Sequence, residues 1–113
     1  ATQLGADATV NVKGLSPADA ASHVVEEMGG KGGGGGGGGG RRPDACVDCC
    51  GFESSVNTAL AATKSGGRVC LVGMGHNIMS LPVTASAARE VDVVGVFRYR
   101  NAYPTAIHLV SSG

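Results

Sequence analysis

The chain has 113 residues, of which 42% are hydrophobic, and its nine basic and nine acidic side chains give a formal net charge of zero. A neutral chain lacks the basic footprint of a nucleic-acid or anionic-membrane binder, so we expect neither partner. No apolar run reaches the roughly 18 residues that cross a bilayer, and no leader pattern indicates secretion. We therefore expect a cytoplasmic protein. The opening ATQLGAD and the closing HLVSSG resemble the inner edges of elements, which predicts a piece of a longer chain.

The first part of the chain predicts one strand and one helix. The β-prone run Ala8 to Val12 predicts the strand. A helix follows, because Ser16 is a good N-cap, Pro17 suits the first helical position and Asp19 stands where a capping box needs an acid. Gly29 is a helix-ending residue.

The rest of the chain alternates strands with helices. Predicted strands cover 44–50, 68–74 and 91–99, and predicted helices cover 52–64, 84–90 and a last segment capped by Asn101. Such alternation is typical of parallel sheets joined by right-handed helical crossovers. The predicted fold class is α/β, with a doubly wound parallel sheet.

A glycine run from Gly29 to Arg42 separates the first helix from the strand after it. Ligands of doubly wound sheets bind where strands end and helices begin, which is the opposite edge. A phosphate loop also needs a helix N-terminus directly after it, whereas Pro43 and a strand follow here. We therefore predict that this run is a flexible insertion and not a phosphate site.

Three strand-to-helix turns are the candidate places for chemistry: CCGFES, VGMGHN and FRYRNAYP. Gly73 and Gly75 begin a dinucleotide fingerprint, but Ile78 stands where its third glycine belongs. His76 is the one histidine in such a turn, and we interpret it as a polar loop residue. The cluster at 98–101 (RYRN) suits either ligand binding, through the planar guanidinium fork of arginine, or helix capping.

Four cysteines raise the question of zinc. Cys46 and Cys49 would point to opposite faces of a strand, because their spacing is odd. Since free cysteine commonly packs as a small hydrophobe, we predict core packing for Cys46, Cys49, Cys50 and Cys70, with no metal site in this chain.

The segments AATKSGGRVCLVGMG and REVDVVGVFRYRNAYP, with QLGAD and VDCCGF, resemble the sorbitol (polyol) dehydrogenase branch of the zinc-containing medium-chain dehydrogenases, especially its plant members. The resemblance implies that residues 1–113 are part of a Rossmann-type NAD-binding domain, holding strands 3 to 6 and their crossover helices. It implies oxidation of a polyol such as sorbitol or xylitol to a ketose, with hydride transfer to NAD. It also implies homo-oligomers, and a catalytic zinc whose ligands lie outside this chain.

The resemblance also assigns site residues, while it assigns neither a catalytic residue nor a metal ligand to this chain. The residues implied to contact NAD are Val72, Gly73, Met74, Val96, Phe97 and Arg98, and those implied to face the polyol are Arg98 and Tyr99. Both segments end predicted strands at the same edge of the sheet, and Gly73 lacks a side chain that would keep a cofactor ring away.

Three functional hypotheses remain from the sequence. The chain is a portion of a polyol dehydrogenase, a non-catalytic truncated remnant or interaction module, or part of a related alcohol or threonine dehydrogenase. In the first case we expect the chain alone to be inactive, because the phosphate-binding fingerprint and two central strands of the family belong to an upstream region.

Overall fold

The computed structural model describes residues 1–29 and 41–112, and its elements alternate as the sequence predicts. After a 3-10 turn at Thr2–Leu4, the helices are α1 (Pro17–Gly29), α2 (Glu53–Ala62), α3 (Val83–Ala87) and α4 (Tyr103–Ser112), and the strands are β1 (Ala45–Asp48), β2 (Arg68–Leu71) and β3 (Asp92–Gly95). None of these helices is long and apolar enough to cross a membrane. The predicted glycine insertion falls mainly on residues 30–40, which lie outside the described ranges.

The three strands form one parallel sheet in the order β1-β2-β3. Ala45 pairs with Arg68 and Arg68 with Asp92 at the amino ends, and the register runs in step to the carboxyl ends. The α/β fold class is thereby confirmed. Because the strands are parallel and in step, the segments that follow them all leave the sheet at one edge, which we call the carboxyl edge.

The predicted strand at Ala8 to Val12 is wrong. This segment has no regular secondary structure, and the sheet of the described residues holds three strands where the sequence predicted four. A strand is defined by ladder hydrogen bonds to a neighbour. No strand in the described ranges pairs with these residues, so their β propensity alone does not make one.

Each remaining strand is shorter than predicted at its carboxyl end. The predictions ran on to Cys50, Met74 and Tyr99, whereas the strands end at Asp48, Leu71 and Gly95. The residues in between therefore form turns, and these turns carry the predicted site.

Local capping and a small core explain the helices. The Ser16 hydroxyl accepts the Asp19 N–H (3.2 Å) and donates to the Asp19 carboxylate (2.6 Å), which confirms the predicted cap of α1. Helix α1 lies against α2 and buries Ala20 and Ala21. The core between α2 and the sheet consists of Val56, Leu60, Val69 and Val91.

Two arginines cap the carboxyl end of α2. Arg89, in the turn just after α3, donates to the carbonyls of Thr63 (2.7 Å) and Leu60 (2.5 Å). Arg42 donates to the carbonyls of residues 61 (2.7 Å) and 62 (3.3 Å). The last carbonyls of a helix have no partner inside the helix, so these guanidinium groups satisfy them.

Lys64, the last residue of the predicted second helix, lies outside α2 in the structure and forms an ion pair. The helix ends before it, and its ammonium pairs with the carboxylate of Asp44 on the way into β1. The hydrogen bond from Lys64, and then its charge, lower the pKa of Asp44.

Candidate functional site

The two predicted cofactor segments leave the carboxyl edge side by side. Residues 72–74 follow β2, and residues 96–99 follow β3, its direct neighbour in the sheet. The Val96 N–H donates to the carbonyl of Leu71 at 3.0 Å, so the second segment is bonded to the residue from which the first begins. The structure thus brings the sequence-predicted residues together, and their roles stay predictions.

These segments present an exposed apolar surface. Met74 is 78% exposed and Phe97 69%, and Val72 and Val96 are each exposed to about four tenths of their surface. Arg98 places its guanidinium 5.0 Å from the centroid of the Phe97 ring, in a cation–π contact. Clustered apolar side chains beside a cation at the carboxyl edge suit a ligand with a flat ring and polar groups.

The backbone around Tyr99 is held in an unusual conformation. Arg98, directly before it, and Asn101, two residues after it, have φ of 60° and 53°, in the left-handed region that residues other than glycine and asparagine rarely adopt. Such conformations concentrate at functional sites. Asn101 does not cap α4 as predicted, since the helix begins at Tyr103 and the carbonyl of Ala102 accepts the first helical hydrogen bond.

Tyr99 is paired with Tyr103, the first residue of α4. Their rings meet edge to face, with centroids 5.0 Å apart, and their hydroxyl oxygens are 3.4 Å apart. The hydrogen bond with Tyr99, and then partial desolvation, raise the pKa of Tyr103 above its ordinary value. The pair fixes the orientation of Tyr99, and the four-residue spacing of the two tyrosines is its one sign in the sequence.

Three glycines pack backbone to backbone beneath this edge. A Cβ on Gly73 would lie 2.2 Å from the Gly51 nitrogen, and a Cβ on Gly51 would lie 2.3 Å from the Gly75 nitrogen. Gly51 has φ of 73° as well. The sequence suggested that position 73 is glycine so that a cofactor ring can come close. The structure gives another reason for glycine here, because the turn after β1 occupies the space that a side chain at this position would need.

Asp48 ends β1 and organises both turns, and sequence reasoning did not single it out. Its buried carboxylate accepts the Gly51 N–H at 2.8 Å, and its carbonyl accepts the N–H groups of Val72 (2.9 Å) and Gly73 (2.8 Å). An acid closing an apolar strand three residues before a glycine was the available signal, because aspartate often caps its own turn.

His76 takes part in the same packing. Its backbone N–H donates to the Gly51 carbonyl (2.8 Å), and its ring Nδ1 accepts the backbone N–H of Glu53 (3.5 Å) at the start of α2. Its ring meets that of Phe52 edge to face at 5.0 Å. These contacts agree with its interpretation as a loop residue.

The cysteines divide between core and surface. Cys46 is half-buried and packs against the core, and Cys70 is half-buried as well, but Cys49 and Cys50 are exposed, so core packing is wrong for this pair. They follow the last strand residue, where the chain turns out of the sheet. Across residues 1–29 and 41–112, no three His, Cys, Asp or Glu side chains stand close enough to hold a metal ion. The donor set of this part of the chain does not fit zinc.

Known proteins resemble this chain over most or all of its length. The model of a family described as zinc-binding dehydrogenase matches residues 1–112. A sorbitol dehydrogenase of Arabidopsis thaliana is 47% identical over 113 residues, which is all of this chain and 29% of that protein. An L-idonate 5-dehydrogenase of Vitis vinifera is 51% identical over 62% of this chain and 19% of that protein.

A solved structure of a dehydrogenase has a similar fold. It is an oxidoreductase/dehydrogenase of unknown specificity from Escherichia coli, 26% identical with a TM-score of 0.70, over 99% of this chain and 28% of that one. The chain thus spans less than a third of the length of these relatives. With its family model matched from Ala1 to Ser112 and its parallel sheet shared with a solved dehydrogenase, this chain belongs to the zinc-binding dehydrogenase family.

Proposed function

We propose that this chain forms the nicotinamide side of the NAD site in a polyol dehydrogenase that oxidises a sorbitol-type or xylitol-type polyol to a ketose. In this proposal residues 72–74 and 96–98 contact NAD, and Arg98 and Tyr99 face the polyol. The observation that carries it is the Val96–Leu71 hydrogen bond, which keeps the two exposed segments side by side at the carboxyl edge.

The residues present fit such a cofactor. The exposed side chains of Val72, Met74, Val96 and Phe97 offer the apolar contacts that an uncharged ring face needs, at the edge where doubly wound sheets bind nucleotides. Bound NAD would supply the hydride acceptor. The side chains of this chain hold the ring in place and exclude water from one side of it.

Arg98 has the chemistry to orient a polyol. Its guanidinium offers several fixed donors to neighbouring hydroxyl oxygens, and the Phe97 ring limits its freedom. Tyr99 adds a phenolic hydroxyl that both donates and accepts. No step is assigned to zinc, because the side chains in the described ranges offer no ligand set for it.

A graft tests the proposal. The 113 residues replace the matching segment of the Arabidopsis sorbitol dehydrogenase, and NAD-dependent oxidation of sorbitol and of ethanol is measured with and without Arg98→Ala. Loss of a hydrogen bond from a charged donor predicts a fall in kcat/KM for sorbitol of about 10-fold to 100-fold. Oxidation of ethanol, which has no further hydroxyls to orient, should change little.

Arg68→Ala is the matched control, because Arg68 is also exposed but lies at the amino ends of the strands and pairs with Asp92 (2.9 Å). Sorbitol turnover that survives Arg98→Ala unchanged removes the substrate role from this residue. A graft that is inactive with every polyol, although folded, contradicts the proposal as a whole. Parallel assays with threonine separate the polyol from the threonine alternative.

We propose further that the chain alone lacks dehydrogenase activity and binds NAD weakly or not at all. It spans 29% of the Arabidopsis relative. The test is an assay of the purified 113-residue chain with sorbitol and NAD, and measurable NADH formation would contradict this statement. The cytoplasmic location stays a prediction, which imaging of a fluorescent fusion checks.

A homo-oligomer is the proposed assembly of the longer protein. Within the described ranges β3 is paired on one side only, and all four of its residues are exposed. A free strand edge can pair with the same edge of a second copy. Val93→Lys in the graft should reduce its mass in sedimentation analysis, and an unchanged assembly would place the contact elsewhere.

A further inference from the structure

Asp48 is a buried acid without a basic partner among the ion pairs of the described residues. It is 5% exposed, and the two salt bridges in residues 1–29 and 41–112 join other side chains. Burying a carboxylate is costly unless hydrogen bonds replace its water. Its oxygens accept the N–H groups of Gly51 (2.8 Å) and Cys50 (3.4 Å), so it is solvated by the turn that it closes.

The main chain of the same residue holds the neighbouring segment. The Asp48 carbonyl accepts hydrogen bonds from both Val72 and Gly73, at 2.9 and 2.8 Å. One residue therefore ties together two turns that follow different strands. The side chain fixes the turn after β1, and the carbonyl fixes the turn after β2.

The contact between these turns leaves no room for adjustment. The space where Gly73 would carry a Cβ is filled by backbone atoms of Gly51, Cys50 and Cys49, all within 2.6 Å of that position. Backbone atoms cannot rotate away as a flexible side chain does. A change in the turn closed by Asp48 is therefore passed directly to Gly73 and its neighbours.

We infer that Asp48 is a positioning residue for the cofactor site: its carboxylate holds the turn after β1 in the shape against which the segment Val72–Met74 rests. The inference rests on the proposed function, since that function assigns NAD contact to this segment. Asp48 itself is too buried to touch the substrate, so its effect passes through the glycine contact. The turn after β3, which carries Arg98, is bonded to Leu71 and receives no hydrogen bond from Asp48.

Asp48→Asn is the main test. The amide oxygen can still accept the Gly51 N–H, but the amide NH2 group cannot accept the Cys50 N–H, and the charge is lost. We expect hydrogen exchange of the backbone amides of residues 72–76 to become about tenfold faster in the 113-residue chain, the scale of one weakened charged hydrogen bond. In the graft, KM for NAD should rise about tenfold on the same scale, while KM for sorbitol changes less than about twofold.

Asp92→Asn is the matched control, because it changes an exposed strand carboxylate at the amino end of the sheet. It should leave both KM values and the exchange of residues 72–76 as they are. Asp48→Ser is the second variant, used if the amide variant fails to fold, since a hydroxyl can also accept the Gly51 N–H. It predicts the same selective rise in KM for NAD.

The outcomes distinguish the positioning role of Asp48 from the proposed function of the whole site. Unchanged exchange at residues 72–76 in folded Asp48 variants overturns the positioning role, and so does an equal rise of KM for NAD and for sorbitol, which general loosening would produce. A wild-type graft that folds but does not turn over polyol with NAD contradicts the proposed function instead. The exchange result in the 113-residue chain still decides whether Asp48 holds the segment.

Discussion

A single methyl group at Gly73 should force the turns after β1 and β2 apart. In Gly73→Ala the new Cβ would lie 2.2 Å from the Gly51 nitrogen and 2.5 Å from the Cys50 carbonyl carbon. Ordinary contacts begin at 3.4 Å, so the turns must separate by about 1.2 Å. Gly73 does not have a positive φ, and the effect is therefore steric and not conformational.

The free energy follows from what this separation breaks. The hydrogen bonds from Val72 and Gly73 to Asp48, and from His76 to Gly51, are 2.8–2.9 Å long and would all lengthen beyond the bonding range. Each contributes about 1 kcal/mol net, and overpacking by itself costs about 1–3 kcal/mol. The three hydrogen bonds and the overpacking together predict a loss of about 4–6 kcal/mol in the free energy of unfolding, which is comparable with the lower end of the roughly 5–15 kcal/mol that stabilises a small domain.

The assay is urea denaturation of the purified chain, followed by far-UV circular dichroism, with Gly95→Ala as the control. Gly95 also sits at the carboxyl edge, but nothing lies within 4 Å of its missing Cβ, so alanine should be neutral or stabilise by up to about 1 kcal/mol. A folded Gly73→Ala variant within about 0.5 kcal/mol of the parent chain would refute the reasoning, since that is the scatter of ordinary surface substitutions.

Three further predictions concern other parts of the chain. The chain holds two tyrosines and no tryptophan, so its phenolate absorbance reports the Tyr99–Tyr103 pair. The pKa of Tyr103 should lie above that of a free tyrosine, because the pair favours the neutral phenol. The stability that this adds is present in full below the ordinary tyrosine pKa and is lost as the pH rises through the raised pKa of Tyr103. Tyr99→Phe should lower the pKa of Tyr103, and an unchanged titration would contradict the pairing. Arg89→Ala should lower the urea midpoint more than Arg42→Ala, because the Arg89 bonds are shorter and its side chain is less exposed; equal midpoints would contradict this ranking. Cutting the glycine run 32–40 to two residues should change the unfolding free energy by about 1 kcal/mol or less and leave the graft's NAD affinity intact, as loop closure depends weakly on length; a large loss of affinity would show that the run serves the site.

Local patterns predicted what local interactions decide. The cap formed by Ser16 and Asp19 lies within one turn of helix, so the sequence contains all of it. The strand-helix alternation likewise predicted the parallel sheet and the edge at which both site segments emerge. The segment Ala8 to Val12 shows the limit, because a strand depends on a neighbour as well as on its own residues.

Local sequence patterns could not predict contacts between residues that are far apart in the chain. Arg89 and the Leu60 carbonyl are 29 residues apart, and no spacing rule connects them. Gly73 was interpreted from its missing side chain, but only the packing of Gly51 against it reveals what that space contains. Asp48 was within reach only in part: its carboxylate accepts the N–H of nearby Gly51, a contact that the local sequence could indicate, whereas its carbonyl accepts the N–H groups of Val72 and Gly73, which are remote in sequence.

The hydrogen bonds of Arg42 to α2 should let the chain accept insertions just before Arg41. Arg42 stands two residues after Gly40, the last glycine of the run, and its guanidinium donates to carbonyls of α2. The next residue, Pro43, is buried, and its carbonyl accepts the Lys64 N–H at 3.1 Å. Arg42 and Pro43 therefore hold the start of β1 against α2 by contacts that do not involve the residues before Arg41. An affinity tag or a fluorescent reporter inserted just before Arg41 should leave the carboxyl edge of the sheet undisturbed.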